Sequence, residues 1–200
     1  MRPAILAATV LASAMGRQAS PSVRYQFLEE AERIFQVLLQ GPPTEELPLL
    51  LLNLAVLRER QGRPEEAIAL TRRGLELRPQ AVELKNNLAW FLAVYGNEPA
   101  EARTWIKRAL EAAGPLPPLL DTQGVVLLKA GEAEEAVRVL EESVKADGSA
   151  SPQWLHLAEA YHSVGRPNDA RRALEEAEER GLERLSPRDQ QAYSRLKLQL

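Results

Sequence analysis

The chain has 200 residues, of which 45% are hydrophobic and 26% are charged, as is usual for a soluble folded protein. Its formal net charge of −3 gives no electrostatic basis for binding nucleic acid or an anionic membrane, and no apolar run reaches the roughly 18 residues of a membrane span. The absence of cysteine excludes disulfides, thiolate nucleophiles and zinc–thiolate sites. We therefore expect neither nucleic acid nor a membrane among its partners.

Residues 1–46 are predicted to form a divergent first unit. A helix over 3–15 ends at Gly16, a loop contains Ser20-Pro21-Ser22, and a second helix covers about 22–40 before Gly41-Pro42-Pro43. An alternative exists for residues 1–14, because Arg2, the apolar stretch and the Ala12-Ser13-Ala14 triplet are also typical of a secretory signal. The predicted location is cytoplasmic, with export as the alternative.

Four helical hairpins are predicted to follow, and proline stands at many of the helix starts, where its fixed φ suits the first turn. The predicted helix pairs are 48–61 with 64–77, 82–95 with 99–112, 118–130 with 133–146, and 152–164 with 167–180. A glycine between the two helices of each pair is expected to supply a left-handed turn; these are Gly62, Gly96, Gly131 and Gly165.

Small residues recur at fixed distances from these glycines, with a period of 34 or 35 residues. An alanine follows each glycine by five residues, or by six in the second hairpin, where we place one inserted residue between Gly96 and Ala102. Because antiparallel helices approach closely only where side chains are small, this period is typical of stacked hairpins that share a continuous core. The small positions are Ala55, Ala89, Gly124 and Ala158; Ala67, Ala102, Ala136 and Ala170; and Gly74, Ala109, Ser143 and Ala177.

The last segment, 186–200, is predicted to be a capping helix. Ser186 and Pro187 form an N-terminal cap, Asp189 lies in the first turn, and Tyr193, Leu196 and Leu200 form a narrow apolar stripe. A polar terminal helix of this kind keeps the end of a repeat array soluble. The predicted organisation is one helical-repeat domain over 1–200, with repeats over 48–182.

No constellation of residues predicts catalysis, a cofactor or a metal. There is no glycine-rich phosphate loop, and His156 and His162 are six residues apart, whereas a helical metal pair needs a spacing of four. Adjacent acids such as Glu141 and Glu142 point apart on a helix. We expect no enzyme, and we interpret both histidines as surface residues, with a pH switch as the alternative.

With these positions in place, the chain resembles the tetratricopeptide repeat family. The fifth unit carries the resemblance most fully, through Trp154, Leu157, Ala158, Tyr161, Gly165, Ala170, Leu174 and Ala177. The resemblance implies an all-α, right-handed superhelical solenoid of antiparallel helix hairpins. Arg58 and Lys85 depart from it at apolar positions, and we expect their stems to lie along apolar surface with the charges in solvent.

The resemblance also implies that the first helix of each hairpin lines a concave groove that binds a peptide or helix of a partner protein. The residues predicted to contact the partner are Asn53, Val56, Arg60, Asn86, Asn87, Trp90, Thr122, Lys129, His156 and Glu159. Others predicted to line the groove are Leu52, Val94, Asp121, Val125, Leu155 and His162.

Within this set, Asn53 and Asn87 share one phase of the repeat and can hold a peptide backbone, while Trp90 offers a flat apolar surface. Hydrogen bonding between helices for the asparagines, and packing within the stack for Trp90, are the structural alternatives. A self-assembling homo-oligomer, a scaffold or regulatory domain excised from a larger protein, and a single-stranded RNA-binding repeat are alternative functions; the acidic balance argues against the last.

Overall fold

A computed structural model of the protein describes residues 32–33, 35–37 and 45–200. The predicted helix 3–15, the loop at 20–22, the turn at 41–43 and the possible signal segment lie outside these residues. Residues 32–33 and 35–37 are helical, as predicted for the helix over 22–40, and Phe35 is fully buried.

The described part of the chain is built of helices and contains no strand. Their ends lie within one or two residues of the predicted ends, except in the second predicted pair. The α-helices are α1 Leu47–Arg60, α2 Pro64–Leu77, α3 Val82–Phe91, α4 Pro99–Ala113, α5 Pro117–Lys129, α6 Ala133–Ala146, α7 Ser151–Ser163, α8 Pro167–Glu179 and α9 Pro187–Gln199. A π-helical segment, Leu92–Gly96, continues α3, and a 3₁₀ turn, Leu182–Arg184, precedes α9.

The chain divides into two compact units at the boundary between Leu84 and Lys85. In the first unit, α1 and α2 pack as an antiparallel hairpin. In the second unit, α5 pairs with α6 and α7 pairs with α8, while α4 packs on α5, α6 on α7, and α9 on α7. The helices α5, α6 and α7 therefore each contact a hairpin partner and a neighbouring hairpin.

The predicted small residues lie where helices come closest, which confirms this part of the sequence analysis. Ala67, Ala136 and Ala170 have no exposed surface. A Cβ atom added to Gly124 on α5 would lie 2.3 Å from Cγ of Leu140 on α6, well inside van der Waals contact. Only a residue without a side chain fits opposite Leu140 at this backbone separation.

The turns between paired helices follow the prediction in three hairpins and depart from it in one. Gly62, Gly131 and Gly165 have φ of 74°, 82° and 74°, in the left-handed region. In the remaining hairpin the left-handed residue is Asn97, with φ of 51°, rather than Gly96. Because Ala102 follows Asn97 by five residues, the inserted residue lies before the turn, where the π-helical segment Leu92–Gly96 takes it up.

Arg58 is buried, so our expectation of a solvated guanidinium at this position is wrong. Its Nη2 lies 2.7 Å from Glu32 Oε1, its Nη1 donates to Gln61 Oε1 at 2.7 Å, and its Nε lies 3.1 Å from Glu66 Oε2. The hydrogen bond from Arg58 lowers the pKa of Glu32 to about 2. Lys85, the other departure, is also buried.

Candidate functional site

The first helices of the hairpins in the second unit, α3, α5 and α7, carry most of the predicted contact residues. We call this set the A-helix face: Asn86, Asn87, Trp90, Thr122, Lys129, His156 and Glu159. Asn86, Asn87, Trp90 and Glu159 are half-buried, Lys129 is exposed, and Thr122 and His156 are buried. The exposed part of the face is therefore centred on α3 and on the end of α5.

Several residues that were predicted to line the groove belong to the core instead. Val125 and Leu155 retain 1% and 0% of their exposed surface, and Leu52 on α1 is also buried. The repeat pattern predicted these residues to face solvent, but a helix that packs against neighbours on two sides buries more than one stripe of its residues. In the first unit, Asn53, Val56 and Arg60 are half-buried on α1.

His156 is the most buried polar residue of the A-helix face, so interpreting it as a surface residue is wrong. Its Nδ1 lies 2.8 Å from Asp121 Oδ1 on α5, and its Nε2 lies 3.5 Å from Asp189 Oδ1 on α9. The first distance is that of a strong charge-assisted hydrogen bond, and the second is an ion-pair distance. The indole of Trp90 covers the imidazole, with ring centroids 5.1 Å apart.

Two opposing effects act on the protonation of His156. Burial disfavours the charged imidazolium, but the negative charges of Asp121 and Asp189, together with the hydrogen bond to Asp121, outweigh burial and raise the pKa of His156 to about 10. For Asp189, burial favours the neutral acid, but His156 and Arg188 hold the pKa of its carboxyl well below the usual range. His156 is therefore a cation at neutral pH, held between two carboxylates.

Glu159, one turn further along α7, binds the start of α9. Arg188 reaches it with both terminal nitrogens, Nη1 to Oε2 at 3.0 Å and Nη2 to Oε1 at 3.2 Å, while Nη1 also donates to Asp189 Oδ1 at 2.9 Å. Arg195 approaches Glu159 Oε1 from the next turns of α9 at 3.4 Å. Bidentate pairing of this kind fixes the orientation of the guanidinium group.

Lys129 ends α5 beside this cluster. Partial desolvation lowers the pKa of its ammonium, the nearby charges of Arg188 and Arg195 lower it further, and Glu159 opposes them. Within the part of the chain that the structure describes, Lys129 forms no ion pair with a carboxylate. The A-helix face thus ends in an exposed lysine near Arg188, Arg195 and Glu159.

The sequence analysis did not predict Arg188, Asp189 or Arg195 as part of this site. Asp189 was assigned to the N-terminal cap, and that assignment is confirmed, since Ser186 Oγ accepts from the Asp189 backbone N–H at 3.1 Å. The sequence does carry a signal for the contact of Asp189 with His156, because these charged residues are spaced by about one repeat. There are 35 residues from Asp121 to His156 and 33 from His156 to Asp189. Side chains one repeat apart on neighbouring helices can meet.

No group of three or more histidine, aspartate or glutamate side chains in the described part of the chain is arranged to hold a metal ion. The helices of residues 45–200 are also too short or too polar to cross a membrane.

Antiparallel hairpins, left-handed corners between paired helices and buried small residues at a period near 34 define an all-α helical-repeat protein of the solenoid class. Tetratricopeptide repeat family models match residues 52–117 and 127–200, which together make up most of the chain. The chain belongs to the tetratricopeptide repeat family.

Solved structures share this fold at low sequence identity. A thermophilic TPR protein of Thermus thermophilus, TTC0263, matches with a TM-score of 0.70 and 20% identity over 95% of this chain and 99% of its own. PilW, a type IV pilus biogenesis factor, matches with a TM-score of 0.67 and 22% identity over 96% and 91%. MamA matches with a TM-score of 0.57 and 19% identity over 78% and 90%.

No curated protein matches the sequence. The family and the fold support a protein–protein interaction scaffold in general, a class that is typically non-catalytic.

Proposed function

We propose that the A-helix face of the second unit binds a peptide or helix of a partner protein, with Trp90 as the anchoring side chain. The observation that carries the proposal is the position of Trp90. Trp90 is half-buried, with part of its surface open to solvent, and its ring lies against the buried imidazole of His156. Large aromatic side chains on a surface are the residues that most often dominate binding energies.

The Trp90 side chain is held in place before any partner arrives. His156 is fixed by Asp121 at 2.8 Å and by Asp189 at 3.5 Å, so the ring beneath the indole cannot easily move. A cation next to the indole adds an electrostatic attraction to the packing. A preformed aromatic surface loses little conformational entropy on binding, which favours affinity.

Asn86 and Asn87 lie on the same side of α3 as Trp90, because residues three and four apart share a helix face. Both are half-buried, and the buried Oδ1 of Asn86 accepts no hydrogen bond from the described residues. Asparagine amides both donate and accept, which suits the polar backbone of a peptide. The expectation that Asn53 contributes in the same way from α1 stays a prediction.

A matched pair of tryptophan variants tests the proposal. Trp105 lies on α4, the second helix of its hairpin, where its Nε1–H donates to Glu101 at 2.9 Å and Arg108 covers its ring. The tagged protein is used to capture a partner, the partner is purified, and its affinity is measured by titration. We expect Trp90→Ala to weaken binding at least about tenfold and Trp105→Ala to leave it within about twofold.

An asparagine variant tests the polar part of the face and leaves the contact between Trp90 and His156 in place. We expect Asn87→Ala to weaken binding several-fold, because the loss of one hydrogen bond to the partner costs about 0.5–1.5 kcal/mol. A thermal melt of the variant shows whether its stability changes as well. Asn168→Ala, at an exposed position on α8, is the control. Unchanged affinity in both Asn87→Ala and Trp90→Ala would place binding on another surface and contradict the proposal.

A further inference from the structure

We infer that the partner segment is acidic, and that its carboxylates are bound by Lys129 and Arg195 where the A-helix face meets the C-terminal helix α9. This inference rests on the proposed function and adds the chemistry of the partner. It also assigns α9 a place in the binding surface, beyond its role as a cap.

The charges at this end of the face do not balance. Among the described residues of the cluster there are four cations and three carboxylates: His156, Lys129, Arg188 and Arg195 against Asp121, Glu159 and Asp189. Each carboxylate is already engaged by a cation within the chain. The excess positive charge belongs to Lys129.

The carboxylates and the cations of this cluster also differ in how deeply they are buried. The side chains of Asp121, Glu159 and Asp189 are only 14%, 14% and 4% exposed, because they point toward His156 and Arg188. Arg195 is 65% exposed and Lys129 is exposed as well. A ligand approaching from solvent therefore meets the ammonium and the guanidinium before it meets any carboxylate.

Exposed cations elsewhere in the second unit are often paired with an acid. Arg138 contacts Glu135, Arg172 contacts Asp169, and Lys197 contacts Glu178. Lys129 has no such partner within the described ranges, and Arg195 has only the 3.4 Å contact there with Glu159, an acid that Arg188 already binds with both nitrogens. The hydrogen-bonding capacity of these two side chains is thus largely unused, which leaves it for a partner.

Net charge does not explain an affinity for acids. The whole chain carries −3, so an acidic peptide would be repelled on average and could bind only at a local positive surface. Carboxylates of glutamate or aspartate fit the guanidinium of Arg195, which can donate two parallel hydrogen bonds, and the ammonium of Lys129 acts as a point charge beside it.

The test uses the full chain and a fluorescent peptide of about eight glutamates, with a glutamine peptide of equal length as the neutral probe. Binding is followed by fluorescence anisotropy at low salt and at about 0.3 M salt, where surface electrostatics are screened. Lys129→Glu and Arg195→Gln are compared with Lys145→Glu. Lys145 is an exposed lysine on α6, so this control changes the net charge by the same amount as Lys129→Glu at a different helix.

We expect the glutamate peptide to bind, the glutamine peptide not to bind, and salt to weaken the complex. Lys129→Glu should weaken binding about tenfold or more and Arg195→Gln about threefold or more, while Lys145→Glu should stay within about twofold. Thermal melts of the variants show whether each remains folded. No binding of the glutamate peptide, or an equal loss in Lys145→Glu, would overturn the inference.

The two proposals fail in different ways. If the glutamate peptide does not bind but Trp90→Ala still lowers the affinity for a purified partner, the inferred acidic preference is wrong and the proposed binding face is retained. If the glutamate peptide binds through Lys129 but neither Trp90→Ala nor Asn87→Ala changes the affinity for a purified partner, the proposed function is wrong and the inferred positive surface is retained.

Discussion

The rings of Trp90 and His156 lie 5.1 Å apart and tilted by 46°, although their helices belong to hairpins separated by a third one. The helix between them is α5. At the repeat position where α7 has His156, α5 has Thr122, which is a smaller residue. The contact makes the anchoring residue of the proposed binding face part of the environment of a buried cation. A substitution of Trp90 is therefore expected to affect stability as well as the proposed binding.

Removing the charge of Asp189 should be costly. The variant Asp189→Asn keeps the shape of the side chain but leaves His156 and Arg188 with one buried carboxylate fewer, so we expect the free energy of unfolding to fall by about 2–4 kcal/mol. Asp169→Asn is the control, since Asp169 pairs with Arg166 and Arg172 on the surface of α8, where water and salt screen such pairs and they contribute little to stability. Urea titrations measure both. Equal effects would mean that the buried cluster stabilises no more than a surface pair.

The protonation of His156 predicts how stability depends on pH. The folded pKa is about 10 and the unfolded value is 6.5, so the stabilisation is fully present below pH 6.5 and is lost as the pH rises toward 10. The free energy of unfolding should decrease between pH 7 and 9, with a slope of at most about 1.4 kcal/mol per pH unit. His156→Gln should flatten this slope, and His162→Gln, at a half-buried position on the same helix, should retain it. A wild-type curve that is flat over this range would contradict the buried imidazolium.

The close approach of α5 and α6 can be tested by a double-mutant cycle. Gly124→Ala improves helix propensity by about 1 kcal/mol, but its Cβ would lie 2.3 Å from Cγ of the fully buried Leu140. We expect the steric term to dominate and the variant to lose about 1–3 kcal/mol. Leu140→Ala alone leaves a cavity, and combining it with Gly124→Ala should cost less than the sum of the two changes. Strict additivity would show that the two residues do not meet.

The left-handed residue of the turn before α4 gives a local test. Asn97 has φ of 51°, a conformation that costs alanine about 1 kcal/mol or more and costs glycine nothing. We therefore expect Asn97→Ala to lower the melting temperature and Asn97→Gly to preserve or raise it. Calorimetry of the two variants measures the difference. If alanine were tolerated as well as glycine, the turn would not be left-handed at this residue.

Most of the fold could be predicted from the sequence because the signals were local and repeated. The helices predicted for the four hairpins were confirmed, because proline, glycine and small residues each act through backbone geometry within a few residues. Ala136 is an example, since its position in the period alone indicated burial, and it is fully buried. The left-handed residue of this turn was predicted to be Gly96, because glycine adopts a positive φ most readily. The prediction was wrong because asparagine also adopts a left-handed φ, and Asn97 does so here.

The candidate site was less predictable because it depends on which polar residues meet across helices. Repeat phase identified the helix faces, but it could not show that His156 would be enclosed by Asp121 and Asp189, or that Glu159 would be bound by Arg188. Burial of charge is decided by partners up to 36 residues away along the chain, and composition carries no information about them. The role of α9 in the charged cluster emerged only from the three-dimensional contacts.

The π-helical segment Leu92–Gly96 has a consequence for comparing sequences of this kind. It accommodates one extra residue in a wider helical turn. The interval from the left-handed turn residue to the buried alanine is therefore five residues here, from Asn97 to Ala102, as it is from Gly131 to Ala136. An alignment gap belongs within 92–96 rather than between the turn and α4. Repeat units can thus change length by a single residue without shifting the positions that determine stacking, and insertions at helix ends should be the ones that natural variation retains.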